Sequence, residues 1–366
     1  MTQDPSTWLD QPRAVRSEDA IDLDALDRWI RTQVDGLAPG HPEVGQYPKG
    51  ASNLTYALNY PNRRLVMRRP PMGHKAKSAH DMGREFRIQK ALGSSSVAVP
   101  EMLALCEDPA IIGSEFYVMD HVEGLILRSC LPQGLALSPA RADALCRAAV
   151  DQLIALHSVD VESTGLDRFS KGPGYARRQI DGWSARFQKA RTWNVIQGKK
   201  VMAWLDAHCP DDVGLCMIHG DYRLDNLVLK PNLDRADEPI EVKAILDWEL
   251  ATIGDPLMDL GNSMAYWVQS DDDFYFKRFR RQPTHVNGMW SREQVVAYYC
   301  EQRGLSAEHW AFYEVYGLFR LAVIAQQIYY RYHHKQTTNQ QFKYLWTAVN
   351  YLLWRCHRII GREDRQ

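Results

Sequence analysis

The chain has 366 residues, which is too long for one compact core and fits two lobes. Its 45% hydrophobic and 24% charged residues are ordinary for a globular protein and argue against a disordered, collagenous or coiled-coil chain. The formal net charge of -1 gives no global field that would attract nucleic acid or an anionic membrane.

Cysteines and apolar runs indicate the compartment. The seven cysteines are scattered without a CxxC pair, which predicts buried, reduced thiols rather than a disulfide framework or a zinc site. The first twenty residues lack the apolar core of a signal peptide, and no run approaches the ~20 apolar residues that span a bilayer. We therefore expect a cytoplasmic protein that binds neither nucleic acid nor membrane.

The first third of the chain reads as mostly β. A helix is predicted over 18–35, followed by strands NLTYALNY and RRLVMRR on either side of a turn at Pro61-Asn62. A second helix is predicted from Asp81 to Leu92, and short β-like runs follow at MLALC and EFYVMDHV.

Helices dominate from about Ser138 onwards. The segment SPARADALCRAAVDQLIALHSVD is a long amphipathic helix, and only CMIHGDYRLDNLVL and VKAILDWE interrupt the later helices with strand-like runs. We predict an α+β fold of two unlike lobes, with a ligand cleft between them. Residues 1–120 would form the β-rich N-terminal lobe and residues 121–366 the helical C-terminal lobe.

The segment HGDYRLDN, residues 219–226, carries the strongest chemical signal. Asp221 and Asn226 lie five residues apart between two apolar strands, so the carboxylate can accept a hydroxyl proton while the amide oxygen binds Mg²⁺. Asp247 follows in the run AILDW and supplies a second hard oxygen ligand for Mg²⁺. Phosphoryl transfer needs this combination of proton acceptor and metal. Alternatively each aspartate only caps a turn, but the joint occurrence of these residues favours catalysis.

These motifs resemble those of the aminoglycoside phosphotransferase and choline-kinase-like family, a branch of the protein-kinase fold. HGDYRLDN is similar to the catalytic loop of that family, and ILDWE to its metal-binding segment. The resemblance implies an ATP- and Mg²⁺-dependent small-molecule kinase in which Asp221 is catalytic and Asn226 and Asp247 bind the metal. By the same resemblance Asp255 in GDPLMDL supports the catalytic loop and Asp259 begins a helix. We expect His219 to pack within the loop.

The resemblance also implies a nucleotide site in the N-terminal lobe, which would thus be the nucleotide-binding lobe. The segment YPKGASNLT stands where a phosphate-covering hairpin belongs, so Gly50, Ser52 and Asn53 are candidate nucleotide contacts. Val118 to Val122 would be the adenine-contacting hinge, with Met119 and His121 as candidates.

Arg68 occupies the position of the usual phosphate-contacting lysine. Glu85, seventeen residues later, would be its ion-pairing glutamate. Arginine can bind phosphate in a bidentate manner, although it does not replace lysine in every respect. Arg69 competes for this role, and an exposed strand arginine without function is the other alternative.

A narrower resemblance concerns NLTYAL, LVMRRPP, GPGYARRQIDGW and GDPLMDLGN. These segments are similar to the kinase-like domains associated with acyl-CoA dehydrogenases, a group linked to phosphorylation of hydroxyacyl-CoA thioesters. Residues 171–191, where this family begins its acceptor side, contain six basic residues and one acid, Asp181. We therefore predict an anionic acceptor, with these candidate contacts: Tyr175, Arg177, Arg178 and Trp183. A solvated helix face is the alternative.

Two further functions stay open from the sequence. One is a true aminoglycoside kinase, and the other is a pseudokinase that binds nucleotide without efficient catalysis. Arg320 lies on an otherwise apolar helix and is interpreted as a buried salt-bridge partner; a substrate contact is the alternative. The oligomeric state and the choice between ATP and GTP are not determined by the sequence.

Overall fold

The computed structural model describes residues 5–48, 53–71 and 81–365, which form two compact units. The first unit contains the residues up to Ala155, Ser163–Gly165 and Leu224–Ala251. The second contains Leu156–Glu162, Leu166–Arg223 and the chain from Thr252 onwards. Strands concentrate in the first unit and helices in the second, so the predicted α+β class is confirmed. The functional boundary at residue 120 stays a prediction.

A five-stranded antiparallel sheet forms the centre of the first unit. Its strand order is β1-β2-β3-β5-β4. In β3, Arg68 lies opposite Thr55 of β2 and Tyr117 of β5. The strands are β1 Glu43–Gln46, β2 Leu54–Asn59, β3 Arg64–Arg69, β4 Met102–Cys106 and β5 Phe116–Asp120.

Two helices cover this sheet, one on each face. Helix α1 (Leu23–Gln33) packs with Met67 and other residues in one apolar cluster, whereas α2 (Met82–Leu92) packs on the opposite face with Val66. Both start where a side-chain carboxylate accepts a backbone N–H, at Asp22 and Asp81. Helix α1 is shorter than predicted because residues 17–19 form a separate 3₁₀ turn.

The first unit also contains most of α3 (Pro139–His157) and a hairpin of β7 (Leu227–Leu229) and β8 (Val242–Ile245). A Cβ at Gly124 would lie 2.5 Å from the carbonyl oxygen of Leu229. Glycine is therefore required where the chain passes this hairpin. This hairpin carries the predicted metal ligands.

The second unit is built around the crossing of two helices, α6 and α9. A Cβ at Gly317 in α9 would lie 2.1 Å from the carbonyl oxygen of Gly261 in α6, so only glycine permits this close approach. Two other residues of these helices, Asp259 and Arg320, lie within a turn of the crossing. The elements of this unit are α4 Tyr175–Ala190, α5 Lys199–Ala207, β6 Cys216–Ile218, β9 Thr252–Gly254, α6 Pro256–Ala265, α7 Phe274–Arg278, α8 Arg292–Arg303, α9 Trp310–His333 and α10 Leu345–Glu363.

No helix in the described ranges combines the length and the apolar character that crossing a membrane requires.

Candidate active site

Arg68 joins two carboxylates within the first unit. Its Nη1 pairs with Oε1 of Glu85 on α2, and its Nη2 donates to Oδ1 of Asp247 at 3.1 Å. The hydroxyl of Tyr117 accepts from Nη1 at 3.3 Å and donates to Glu85 at 2.8 Å. The structure thus brings together three residues that lie far apart in the sequence. Arg68 and Glu85 adopt the ion pair that the sequence suggested.

The electrostatics of this cluster keep the guanidinium charged. Burial alone would lower the pKa of Arg68, but Glu85, Tyr117 and Asp247 raise it well above its ordinary value. Among the described residues, Nε of Arg68 is buried without a hydrogen-bond partner. One N–H of the guanidinium therefore has no partner within the described residues.

Arg69 has a different role from its neighbour. It is only 1% exposed, and it donates to the hydroxyl of Tyr56 and to the carbonyl oxygen of Asp19. Consecutive side chains of a strand point to opposite faces, which explains why only Arg68 reaches Glu85. Arg69 is a packing residue of the sheet, so it does not compete for the phosphate role.

Asn226 and Asp247 lie on adjacent arms of the β7–β8 hairpin. The N–H of Leu246 donates to the carbonyl oxygen of Asn226 at 2.8 Å. Asp247 is held at φ 68° and ψ 60°, a left-handed conformation that is uncommon for a residue with a side chain. Such strain is concentrated at functional positions.

The donor chemistry of this pair fits Mg²⁺. An amide and a carboxylate supply hard oxygens, and Mg²⁺ in nucleotide sites takes its remaining ligands from water and phosphate. Over the described ranges, no cluster of three or more His, Cys, Asp or Glu side chains suits a metal. A site completed by a nucleotide, rather than a closed protein cage, therefore agrees with these residues.

The structure describes three of the five other predicted nucleotide contacts. Gly50 and Ser52 lie outside the described residues. Asn53 is 1% exposed and directly precedes β2. Met119 is buried in β5, whereas His121 is half-buried and donates its backbone N–H to the carbonyl oxygen of Arg64. Burial lowers the pKa of the His121 imidazole, and the Arg64 charge lowers it further. Their contact with an adenine stays a prediction.

The loop that carries Asp221 belongs to the second unit. Asp221 donates its backbone N–H to Nδ1 of the fully buried His219 at 3.2 Å. Its carboxylate lies 3.1 Å from Nη2 of Arg223, whose guanidinium stacks on Tyr266 at 4.6 Å. Gly220 precedes it at φ 80°. His219 packs inside the loop, in the arrangement expected from the sequence.

Asp259, rather than Asp255, binds this loop. The Asp259 carboxylate accepts the N–H groups of His219 and Gly220 at 2.9 and 2.8 Å, and it contacts Nε2 of His157 at 3.2 Å. Asp255 instead accepts from Val213 and Met258 and begins α6. The two aspartates therefore have the reverse of the roles expected from the sequence. The Asp-Pro start of the helix was the missed signal, because proline favours the position after a capping aspartate.

Arg320 provides a second contact to the loop. It is 5% exposed, and its Nη2 donates to the carbonyl oxygen of Gly220 at 2.7 Å. Burial alone would lower the pKa of this guanidinium, but surrounding groups, Tyr316 first and Asp221 among them, raise it. Among the described residues Arg320 has no ion pair, so the expected salt bridge is wrong. It holds the peptide next to Asp221.

The predicted acceptor residues divide into two groups. Tyr175 is buried, and its ring packs against the position of Gly254, so it offers no flat surface to a ligand. Arg177 pairs with Asp206 at the surface, and Arg178 donates to the carbonyl oxygens of Pro173 and Gly172. These two arginines are therefore already engaged.

Trp183 stays a candidate contact for the acceptor. It is half-buried, with the guanidinium of Arg186 at 4.7 Å and that of Arg320 at 5.3 Å from its ring. An indole with two arginines is a surface that favours anionic and planar ligands. Arg223 had no role predicted from the sequence, and the role of Arg320 was left open. Arg186 is one of the six basic residues of 171–191, and it lies three residues after Trp183 on one face of α4. No local pattern in the sequence relates Arg320 to Asp221 or Trp183.

Comparison with known proteins decides the family. Residues 43–295 match the Phosphotransferase enzyme family. The chain belongs to this family. It is 37% identical over 321 residues to mouse acyl-CoA dehydrogenase family member 10, covering 87% of this chain and 29% of that protein. This phosphotransferase therefore spans less than a third of that relative, and its resemblance to kinase-like domains associated with acyl-CoA dehydrogenases is confirmed.

Solved structures agree with this placement. A Ralstonia eutropha protein assigned as a candidate aminoglycoside phosphotransferase superposes with a TM-score of 0.79 at 31% identity, covering 94% of this chain and 99% of that one. A thermostable mutant of aminoglycoside phosphotransferase APH(4)-Ia, in ternary complex with AMP-PNP and hygromycin B, gives a TM-score of 0.55 at 14% identity and covers 92% and 98%. This second likeness shows the fold alone.

Proposed function

We propose that this phosphotransferase moves the γ-phosphoryl group of ATP to a hydroxyl group of a small organic acceptor. The observation that carries the proposal is the Arg68 cluster, in which one guanidinium links Glu85 to Asp247. A phosphate-binding cation, its orienting glutamate and a metal-ligating aspartate are parts that kinases need. Their presence argues against the pseudokinase alternative.

On the nucleotide side, Arg68 would bind phosphate oxygens, and Asn226 and Asp247 would hold Mg²⁺. The metal supplies charge that neutralises the phosphates during transfer. Glu85 and Tyr117 fix the direction of the guanidinium, because both contact its Nη1. Arg68 thereby replaces the lysine that the family resemblance implies, and it offers a fork of donors instead of a point charge.

On the acceptor side, Asp221 takes the proton of the acceptor hydroxyl. The oxygen then bonds to the γ-phosphorus, the bond to the bridging oxygen breaks, and ADP leaves. Arg223 holds the carboxylate by an ion pair at 3.1 Å. Arg320 and Asp259 hold the backbone on either side of Gly220, so the loop is fixed before substrate arrives.

The acceptor is proposed to be anionic, with a hydroxyacyl-CoA as the first candidate. Arg223, Arg320 and Arg186 give this unit a positive character beside Asp221 and Trp183. A polycationic aminoglycoside would be repelled by them, whereas the phosphates and adenine of coenzyme A suit arginines and an indole. The mouse relative carries a name from acyl-CoA metabolism, which is a further reason to test this class.

A phosphate-transfer screen tests the proposal. The protein is incubated with ATP and Mg²⁺ and with hydroxyacyl-CoAs, aminoglycosides or amino alcohols, and the phosphorylated product is detected by ³¹P NMR. We expect turnover of a hydroxyacyl-CoA and loss of turnover in Asp221→Asn. Turnover of an aminoglycoside alone would overturn the anionic acceptor. Absence of transfer to every acceptor, with tight Mg·ATP binding, would favour the pseudokinase.

Charge reversal separates the candidate acceptor residues. Arg186→Glu places a negative charge against Trp183 and should raise KM for an anionic acceptor while the affinity for ATP stays unchanged. Arg177→Glu is the matched control on the same helix, because Arg177 is exposed and already paired with Asp206. If KM rises more in Arg177→Glu than in Arg186→Glu, the acceptor site lies at the start of α4 instead.

The cytoplasmic location stays a prediction.

A further inference from the structure

Residues 274–291 carry positive charge without any carboxylate. Their basic side chains lie close together in sequence and form what we call the basic segment: Lys277, Arg278, Arg280 and Arg281. Lys277 and Arg278 end α7, and the exposed Arg281 follows three residues later. Among the residues that the structure describes, Lys277, Arg278 and Arg281 take part in no ion pair. The basic segment therefore presents cations whose charge no carboxylate partner neutralises.

The three carboxylates that precede α7 are engaged elsewhere. Asp271 accepts from the side-chain amide of Gln269 at 3.0 Å. Asp272 pairs with Arg292 at 2.7 Å, and Asp273 accepts a backbone N–H in the first turn of α7. These acids lie at the start of the helix, whereas the basic segment begins at its end. The two groups of charges are therefore kept apart by the length of α7.

The chain that follows the basic segment packs against Tyr266, beside the loop of Asp221. Gln282, which is 1% exposed, donates from Nε2 to the carbonyl oxygen of Tyr266 at 3.2 Å. The half-buried Tyr266 ring lies under the guanidinium of Arg223 at 4.6 Å, and Arg223 pairs with Asp221 at 3.1 Å. Burial raises the pKa of Tyr266, the charge of Asp221 raises it further, and the charge of Arg281 opposes this rise. The Tyr266 hydroxyl is therefore within electrostatic reach of both Asp221 and Arg281.

His285 lies near two other members of the basic segment. Burial lowers the pKa of its half-buried imidazole, and the charges of Arg280 and Lys277 lower it further. The positive potentials of these side chains therefore add at one place. An anion bound there would offset the two charges and raise the pKa of His285.

We propose that the basic segment binds a phosphate group of the acceptor, which lies across the Tyr266 ring with its hydroxyl at Asp221. This inference rests on the proposed function and deepens it, because it assigns the charged end of the acceptor to Lys277 and Arg281. A phosphate suits this surface, since arginine binds its oxygens in a bidentate manner and lysine adds a point charge. A hydroxy acid that carries no phosphate would not use these residues.

Binding is measured by isothermal titration calorimetry with CoA, 4′-phosphopantetheine and pantetheine. Saturating Mg·AMP-PNP occupies the nucleotide site and permits no transfer. Affinity should fall about tenfold from 4′-phosphopantetheine to pantetheine, which differ only in the phosphate. The double variant Lys277→Gln/Arg281→Gln should lose about the same factor for CoA and nothing for pantetheine. Arg331→Gln removes an exposed arginine of α9 and is the matched control, so it should bind CoA as the wild-type protein does.

The imidazole resonances of His285 give a second measurement that needs no variant. CoA and 4′-phosphopantetheine should raise its pKa in the wild-type protein, and pantetheine should not. Any of three results would overturn the inference: unchanged CoA affinity in the double variant, an equal loss in Arg331→Gln, or inorganic phosphate binding as tightly as 4′-phosphopantetheine. Turnover of a hydroxyacyl-CoA together with the first result would overturn this inference alone. Loss of CoA affinity in the double variant would support it even if no acceptor were phosphorylated.

Discussion

If Asp247 binds Mg²⁺ as proposed, Arg68 must compete with the metal for its carboxylate, and this competition can be measured. Nη2 of Arg68 lies 3.1 Å from Oδ1 of Asp247, with side-chain exposures of 11% and 35%. A hydrogen bond to a charged group contributes about 1.5–3 kcal/mol, and the partial exposure of Asp247 places this pair at the lower end. Arg68→Met should therefore raise the affinity of the nucleotide-free protein for the metal about tenfold.

Manganese makes the effect visible, because free Mn²⁺ can be counted by electron paramagnetic resonance. The same variant should bind Mg·ATP more weakly, since the phosphates lose a guanidinium, so the two affinities should change in opposite directions. Arg64→Met is the control, because Arg64 lies on the same strand but is exposed and paired with Glu123. Weaker binding of Mn²⁺ by Arg68→Met would refute the reasoning and show that the ion pair instead holds Asp247 ready for the metal.

Three further predictions concern the second unit. Asp221→Asn should lower kcat about 10²–10⁴-fold with Mg·ATP affinity unchanged in calorimetry, and near-native turnover would remove Asp221 from catalysis. Arg320→Met should lower kcat about 10–100-fold, because the Gly220 carbonyl oxygen loses its donor. Arg320→Lys should recover part of the activity, and the control Arg331→Met, at an exposed residue, should have no effect. Equal losses of kcat in all three variants would contradict a role of Arg320 at the loop. Burial raises the pKa of Asp255 to about 6, so the folded state holds its proton more tightly than the unfolded chain. The unfolding free energy should fall by about 2 kcal/mol between pH 4 and pH 6 relative to Asp255→Asn, and parallel denaturation curves over this range would exclude the shift.

Local signals made much of the first unit predictable. Aspartates at the starts of α1 and α2, and a Pro-Asn turn between β2 and β3, mark element ends by backbone chemistry that the sequence carries. Alternation along β3 separated Arg68 from Arg69, and the structure placed them on opposite faces as expected. These inferences use neighbours in sequence, so no knowledge of the fold was needed.

Contacts across the chain could not be predicted in the same way. The bond from Arg320 to Gly220 joins residues one hundred positions apart, and it depends on how closely α9 approaches α6. Likewise the six basic residues of 171–191 suggested an anion site, although the folded chain gives Arg177 and Arg178 other partners. A charge count registers the excess of one sign in a segment, but it omits partners that folding brings from elsewhere.

The order in which the chain builds its two units limits how this protein can be divided or exchanged. The first unit is discontinuous in sequence, because Leu224–Ala251 belongs to it although the preceding segment, Leu166–Arg223, belongs to the second unit. A truncation at Ala155 would therefore keep the five-stranded sheet but lose the separate hairpin of β7 and β8, and with it Asn226 and Asp247. No single crossover between two related genes can transfer the first unit, where the nucleotide is proposed to bind, intact while leaving the second unit behind. Chimaeras that aim to change acceptor preference must graft at least two segments, and the natural diversification of acceptors in this architecture is expected to proceed by point substitution more readily than by recombination.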